Sequence, residues 1–491
     1  MTTTNQLSAL KSRILEKYAR GEMSRAVPAP DAIRPSLTRP APLSVAQQEF
    51  YFRETSSRAV QPLYNEGVSL CMKGALDERT LERSFAEIIR RHEIWRTSYA
   101  KVNRQLVQIV GPAEDVFRFP VHDFRSTNQT ERTSEIQEFM DGETCRPFDL
   151  GQGPLVRAHL LKTGAEEHIL FIVAHLSVVD GVSVYQILPA ELAVLYQAFA
   201  AGKSSPLPEP AVQFADFALW QRERLDRHVW GDQIAYWGKQ LKGTPLFNWP
   251  RNHSDRTATK AFRGVIRPEA FSSEVTERTK YLSRVGGVTL FVTLVAGFAA
   301  LLHTYTEQTD LVIGTFSPSG RQRPELRKLL GHFINPVALR LEPGNDLTFR
   351  ELMQQACDVI GEAMKRDMVP LEALKHEIPG KPVSVRDPLF NFGISLQPPM
   401  PSIAYDWTIT SMDAQSGGSP WNLYMAFIER PTGLMGRIQY DPDAFEESVI
   451  KQMWGDLQSL LKIAAARPED PLSRLRSELL AERQAGLSLQ E

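Results

Sequence analysis

The chain has 491 residues, 42% of them hydrophobic and 23% charged, enough for two or three folding units with sizeable cores. Lysine plus arginine (56) nearly balances aspartate plus glutamate (58), so nothing in the charge points to nucleic acid. Cys71, Cys145 and Cys357 show neither metal spacing nor a disulfide framework, which fits a reducing cytoplasm, and no stretch reads as a signal peptide or a membrane span.

Residues 7–23 place Leu7, Leu10, Ile14 and Leu15 on one side and basic residues on the other, the pattern of a short amphipathic helix. It either lies on its own domain or docks an upstream partner. Residues 27–42 are Pro-rich and predict an extended linker. A helix is predicted over 79–92, with Leu81, Phe85, Ile88 and Ile89 on its buried face. It runs into Arg91-His92-Glu93-Ile94-Trp95-Arg96-Thr97, where a histidine between Arg and Glu reads as structural.

A hairpin is predicted next, with strands 155–162 and 168–175 turned at Thr163-Gly164-Ala165-Glu166. Ile169, Phe171, Ile172 and Val173 give the second strand the look of one buried on both faces. It delivers the loop Leu176–Gly181, and a helix over 182–200 follows. Asp180 stands where a carboxylate caps the free N–H groups of that helix, and Gly181 lets another group approach closely. Residues 202–212, polar and Pro-rich, mark a boundary between two lobes. A second helix–strand unit occupies 288–304 and 310–316, the apolar run Val288–Leu302 being a buried helix. No period of 20–50 residues repeats, which excludes a solenoid. No Ser/His/Asp constellation, phosphate loop or metal cluster is visible, and Gly286-Gly287 lacks the surrounding fingerprint of a dinucleotide site.

His175-Leu176-Ser177-Val178-Val179-Asp180-Gly181 resembles the H-H-x-x-x-D-G signature of condensation domains in nonribosomal peptide synthetases, which is related to the H-x-x-x-D-G of chloramphenicol acetyltransferase. Other segments resemble that family in the right order. Leu43-Ser44-Val45-Ala46-Gln47-Gln48 is similar to L-S-x-A-Q-Q, and the segment ending Arg96-Thr97 to R-H-E-x-L-R-T. Arg146-Pro147-Phe148-Asp149-Leu150 leads into the hairpin, and Phe214-Ala215-Asp216-Phe217-Ala218-Leu219-Trp220-Gln221 is similar to Y-A-D-Y-A-x-W-Q. Gly320-Arg321, Gly331-His332-Phe333-Ile334-Asn335-Pro336, Arg366–Glu372 and Arg386-Asp387-Pro388-Leu389-Phe390 correspond to the later motifs. Arg366 stands where the family often has His, and Pro336 where it has Thr.

The resemblance implies an α/β fold of two chloramphenicol acetyltransferase-like lobes in a V-shaped pseudo-dimer with a central tunnel. It implies an N-terminal lobe at 43–201, a crossover at 202–212 and a C-terminal lobe at 213–470. The ends, 1–42 and 471–491, would then be a possible docking element and the start of a linker to an adenylation domain. That arrangement implies a piece of a longer synthetase, a free-standing protein being the alternative. The implied activity joins a carrier-bound acyl or peptidyl thioester to an acceptor amine. The substrates ride on phosphopantetheine of upstream and downstream carrier proteins, beside adenylation or polyketide synthase modules, and the domain binds no cofactor of its own.

Within the site, the resemblance implies that His175 packs inside and orients the loop. Asp180 pairs with Arg321, tying the loop to the second lobe, a role compatible with the helix cap; Arg96 and Asn335 are further supports. The departure is Leu176, which occupies the place of the histidine that faces the reacting amine. Leucine neither accepts a proton nor hydrogen-bonds an amine, and Ser177, the one hydroxyl in the loop, is a weak base unaided. Two functions follow: condensation with an atypical loop, or a silent domain of the same fold that passes the chain on or recruits carrier proteins or a tailoring enzyme.

Overall fold

A computed structural model describes residues 32–488 except 57–61, 114–116, 127, 246–248, 250–263, 377–389, 398–404, 406, 412–413, 416–417, 420 and 431–432. The helix predicted over 7–23 and most of the Arg386–Phe390 motif lie outside the described residues.

The first lobe is built on a five-stranded sheet in the order β12-β2-β7-β6-β5. Its strands are β2 (Asn65–Lys73), β5 (Val121–Asp123), β6 (Val156–Lys162), β7 (Glu167–His175) and β12 (Trp407–Ser411). The predicted hairpin is β6–β7, closed by the Thr163 N–H on the Glu167 carbonyl at 2.9 Å. Strand β7 is central and buried on both faces. Leu170, Ile172 and Ala174 join a core with helices Glu78–Arg91 and Leu188–Ala200, while Phe171 and Val173 pack against Ile136 and Met140 of helix Gln129–Cys145. A branched, aromatic strand without polar alternation is the sequence of a strand covered twice. A small sheet, β1-β4-β3 (Ala41–Pro42, Gln105–Val110 and Thr97–Val102), flanks this lobe.

The second lobe carries a six-stranded sheet, β10-β9-β11-β13-β14-β8. These are Asn335–Leu341, Leu311–Ser317, Phe392–Gln397, Leu423–Arg430, Gly433–Tyr440 and Val265–Ala270. Helix Leu290–Thr306 is buried from Val292 to Thr304, which accounts for its uniformly apolar sequence. Thr289 caps it, accepting from the Val292 N–H at 3.3 Å. No single helix among the described residues is long and apolar enough to cross a membrane.

Three boundaries read from the sequence need correction. First, 213–470 is not one lobe. Strand β12 pairs antiparallel with β2 from Trp407↔Met72 to Ser411↔Val68, and Phe214, Phe217, Leu326, Leu329, Leu330 and Phe333 pack in the first lobe's core. Second, 471–491 is not a linker where described: helix Leu472–Ser488 buries Leu472, Leu475 and Leu479 in the second core. Arg483 anchors it, donating to Asp456 Oδ1 at 2.8 Å and to the Tyr305 hydroxyl at 2.6 Å. Third, the described part of 27–42 is strapped down. The Ile33 N–H meets Glu325 Oε1 at 2.9 Å, and the Ser36 N–H meets Asp216 Oδ1 at 3.0 Å. All three are pairings between distant parts of the chain, to which local composition is blind.

Candidate functional site

The loop leaves the end of β7, where His175 pairs with Asn65 and the Leu176 N–H is held by the Tyr64 carbonyl at 2.7 Å. After Gly181 the chain makes a π-turn, Ser183–Ile187, before the regular helix begins at Leu188, so the helix predicted over 182–200 opens with a wider turn. Gly181 meets a close approach from the other lobe: a Cβ there would stand 3.1 Å from Gln397 Oε1, the end of a side chain that would have to give by a few tenths of an ångström.

Asp180, fully buried, is the centre of a polar knot. Arg321 donates from Nε to Oδ2 at 3.1 Å and from Nη2 to Oδ1 at 2.8 Å. Ser183 donates its N–H to Oδ1 at 2.8 Å, the bond of a helix cap, and the Phe333 N–H meets Oδ2 at 3.0 Å. The same guanidinium reaches Ser183 Oγ (2.7 Å) and the carbonyls of Leu326 (3.0 Å) and Gly331 (3.1 Å). Burial pushes the Asp180 carboxyl up, but the charge and hydrogen bonds of Arg321 outweigh it, and the pKa lies below its ordinary value.

The other end of the loop is different. Leu176 is half-buried and packs with Leu63, Tyr64 and Phe50. His175, with no exposed surface, accepts at Nδ1 from the Ser177 N–H (3.2 Å) and lies 2.7 Å from Ser177 Oγ. Its Nε2 stands 3.3 Å from Glu54 Oε2. Burial raises the Glu54 carboxyl, yet the His175 hydrogen bond and charge with the backbone of Leu63 and Tyr64 bring it below its ordinary value. Ser177 Oγ also accepts from the Tyr99 hydroxyl at 2.7 Å, and Gln47 Nε2 donates to that hydroxyl (3.2 Å) and to the Ser177 carbonyl (3.3 Å). Glu54, His175 and Ser177 have the composition of a nucleophilic relay, but Ser177 is wholly buried and its oxygen occupied. The geometry suits holding the loop, not attacking a substrate.

Of the remaining candidates, Asn335 donates to the carbonyls of Asp367 (2.8 Å) and Val369 (2.5 Å), fastening β10 to the 367–371 segment. Arg96 is not brought to the loop. Its guanidinium holds the Gly111 carbonyl and stands 3.8 Å from Glu93. His92 is fully buried between Glu191 (3.0 Å) and the Leu330 N–H (3.2 Å).

The sequence reading missed several residues with parts in this geometry, among them Glu54, Tyr99, Ser183 and His332. Ser183 stands at the spacing at which a capped N–H is expected after Asp180. His332, a polar residue in an apolar stretch, lies 3.0 Å from the Val179 carbonyl. A narrow cleft between the halves is lined by Ala46, Trp220, Gln221, His332 and Asn335. Among the described residues no group of His, Cys, Asp and Glu side chains is arranged to hold a metal ion.

The profile of the condensation-domain family matches residues 38–485. The chain belongs to that family. It is 34% identical over 452 residues to one of the linear gramicidin synthase proteins of Brevibacillus parabrevis; the match covers 91% of this chain but 9% of that protein, so the chain spans a small part of its relative. Among solved structures, the X-domain from teicoplanin biosynthesis superposes with a TM-score of 0.77 at 23% identity, covering 90% of this chain and 99% of that one. The condensation domain of the monacolin K polyketide synthase MokA gives 0.75 at 21% identity, covering 88% and 98%. These neighbours bear out the two-lobe α/β fold. Condensation domains as a class are amide-forming acyltransferases that take substrates on carrier-bound phosphopantetheine and bind no cofactor of their own.

Proposed function

We propose that this condensation domain forms amide bonds with an atypical loop. The acceptor's amine nitrogen attacks the carbonyl of the donor thioester, the C–N bond forms, the C–S bond breaks, and the thiol leaves with the proton the amine loses. Donor and acceptor arrive on phosphopantetheine arms of upstream and downstream carrier proteins, in a tunnel between the lobes. The observation that carries this reading is the Asp180–Arg321–Ser183 knot: the frame that fixes the loop against the second lobe is complete although position 176 has no base. A thioester is already activated, so an unprotonated amine held close needs position more than a base. The support at His175 and Ser177 fits the same role, with Asp180 and Gly181 setting the loop's place and Arg321 and Asn335 bracing it.

The apolar packing of Leu176 favours a second reading, in which the domain is silent and passes the chain on or recruits a partner. One solved neighbour is a complex of the X-domain with OxyB from teicoplanin biosynthesis.

Leu176→His separates the two. Both carriers are loaded and product is followed by intact-protein mass spectrometry. A histidine at 176 is expected to raise amide formation by about 10²–10⁴-fold, the usual worth of a placed base. A parent that already turns over as fast as the variant shows that no base is needed at 176. If neither makes product while carrier binding is measurable, the silent reading stands.

A further inference from the structure

Residues 330–333 of the second half are tied one by one to the first lobe. The Leu330 N–H goes to His92 Nδ1 (3.2 Å), Gly331 exchanges bonds with Ser183 Oγ (3.1 and 3.0 Å), and the Phe333 N–H goes to Asp180 Oδ2 (3.0 Å). These bonds reach the rear of the loop or the helices behind it. His332 directs its side chain at the turn that carries position 176.

His332 is 3% exposed. Its Nδ1 stands 3.0 Å from the Val179 carbonyl. The imidazole therefore holds the Val179 end of the 176–179 turn from a segment 153 positions away in sequence. Phe50 closes the remaining side, edge-on at 5.0 Å between centroids, and Phe50 itself packs in the cluster that holds Leu176. Nδ1 of the ring is committed to a carbonyl of the loop.

We infer that His332 is a positioning residue, which fixes the backbone of the 176–179 turn and so places whatever side chain stands at 176. Without a donor there, the Val179 carbonyl of a buried turn loses its partner, a loss a packed apolar ring does not make good. Burial holds the imidazole below its usual pKa against the opposing pull of the Asp180 carboxylate, Arg321 adding to the downward shift. The neutral ring then has one N–H to give, and Nδ1, at 3.0 Å from Val179, is where it is spent.

Hydrogen–deuterium exchange on the whole chain tests this. His332→Phe keeps ring volume and removes the donors. Peptides covering residues 176–182 are expected to exchange at least tenfold faster, while those from helix Leu290–Thr306 stay unchanged. His332→Asn, whose amide N–H reproduces the Nδ1 donor, is expected to restore most of the protection. Equal exchange in the Phe variant and the parent, or equal loss in the Phe and Asn variants, overturns the inference. If His332→Phe does not fold, ¹⁵N shifts of the parent's labelled histidines decide. Nδ1 of His332 must carry a proton, and an unprotonated Nδ1 overturns the assignment. For its catalytic consequence alone the inference rests on the condensation reading. In the Leu176→His background, His332→Phe should lower kcat about tenfold with KM for the loaded carriers unmoved, and a change in KM alone counts against positioning. Should Leu176→His make no product, that reading fails, and exchange still decides on His332.

Discussion

Asp180 and Leu176 are four residues apart on one loop and are held by opposite means. Asp180 is fully buried, pairs with a guanidinium from the second lobe and takes further bonds from Ser183 and Phe333. Leu176 is half-buried among Leu63, Tyr64 and Phe50, and its fixed contacts are through its backbone. The contrast separates two demands that the family's signature combines. The acidic end keeps the chain's path, and every polar group around it depends on the charge. The other end keeps its backbone position while its side chain is set only by an apolar cluster. A frame retained at one end leaves the other free to differ.

The largest expected effect comes from breaking the polar end. Arg321→Ala strands a buried carboxylate and should lower stability by about 3–5 kcal/mol, read from urea unfolding at neutral pH. The pH dependence sharpens this. With its folded pKa depressed, Asp180 contributes stability that is present above its unfolded pKa and is lost as pH falls through the folded one. In Arg321→Ala the sign reverses, because protonation relieves the stranded charge. The deficit against the parent should therefore shrink as pH drops into the carboxylate range. A constant deficit between about pH 7 and pH 4 would show that packing, including the guanidinium's 4.5 Å stack on Phe333, dominates instead.

Asp367 supplies the control, a buried aspartate given only neutral donors. Ser317 Oγ and Gln322 Nε2 (3.2 Å) reach it, and burial pushes its carboxyl up to about 6. Here the folded state holds a proton that the unfolded chain has released between about pH 4 and 6. Stability contributed by the protonated form is present at low pH and is lost as pH rises through about 6. Asp367→Asn should thus gain about 2–3 kcal/mol near pH ~7.5 and nothing near pH ~4, from about 1.4 kcal/mol per pKa unit. A loss at both pH values would mean that the hydrogen bond from Ser317 outweighs the buried charge.

The sequence made the rigid part of the site legible and not its cross-lobe contacts. An uninterrupted branched strand predicts β7, and Asp180-Gly181 before an apolar helix predicts a cap and a close approach; Ser183 and Gln397 fill those two places. Pairing Asp180 with Arg321, 141 positions away, came from the family's motifs and not from spacing. His332 escaped because a lone histidine beside Phe333 in an apolar stretch looks like any buried ring. Its meaning lies in the Val179 carbonyl, 153 positions away in sequence. Strand β12 and the Leu472–Ser488 helix escaped for the same reason: what they pair with is fixed by topology, and their own composition is ordinary.

The smallest effect tests the apolar end. A fully buried leucine cut to alanine costs about 2–5 kcal/mol, through lost transfer energy and the cavity left behind. Leu176 is half-buried and its cluster holds only Leu63, Tyr64 and Phe50, so much of its surface is not in a sealed core. Leu176→Ala should cost about 1 kcal/mol in urea unfolding. The exchange of the 176–182 segment should stay unchanged, because the Leu176 N–H stays on the Tyr64 carbonyl and His332 stays on Val179. That outcome would make position 176 a replaceable side chain on a fixed backbone, which is the condition for a histidine there to act without rebuilding the loop. A cost near that of Arg321→Ala would mean that leucine is itself part of the frame. The two ends of the loop would then be equally committed, and the Leu176→His variant would carry a folding defect that has to be separated from its chemistry.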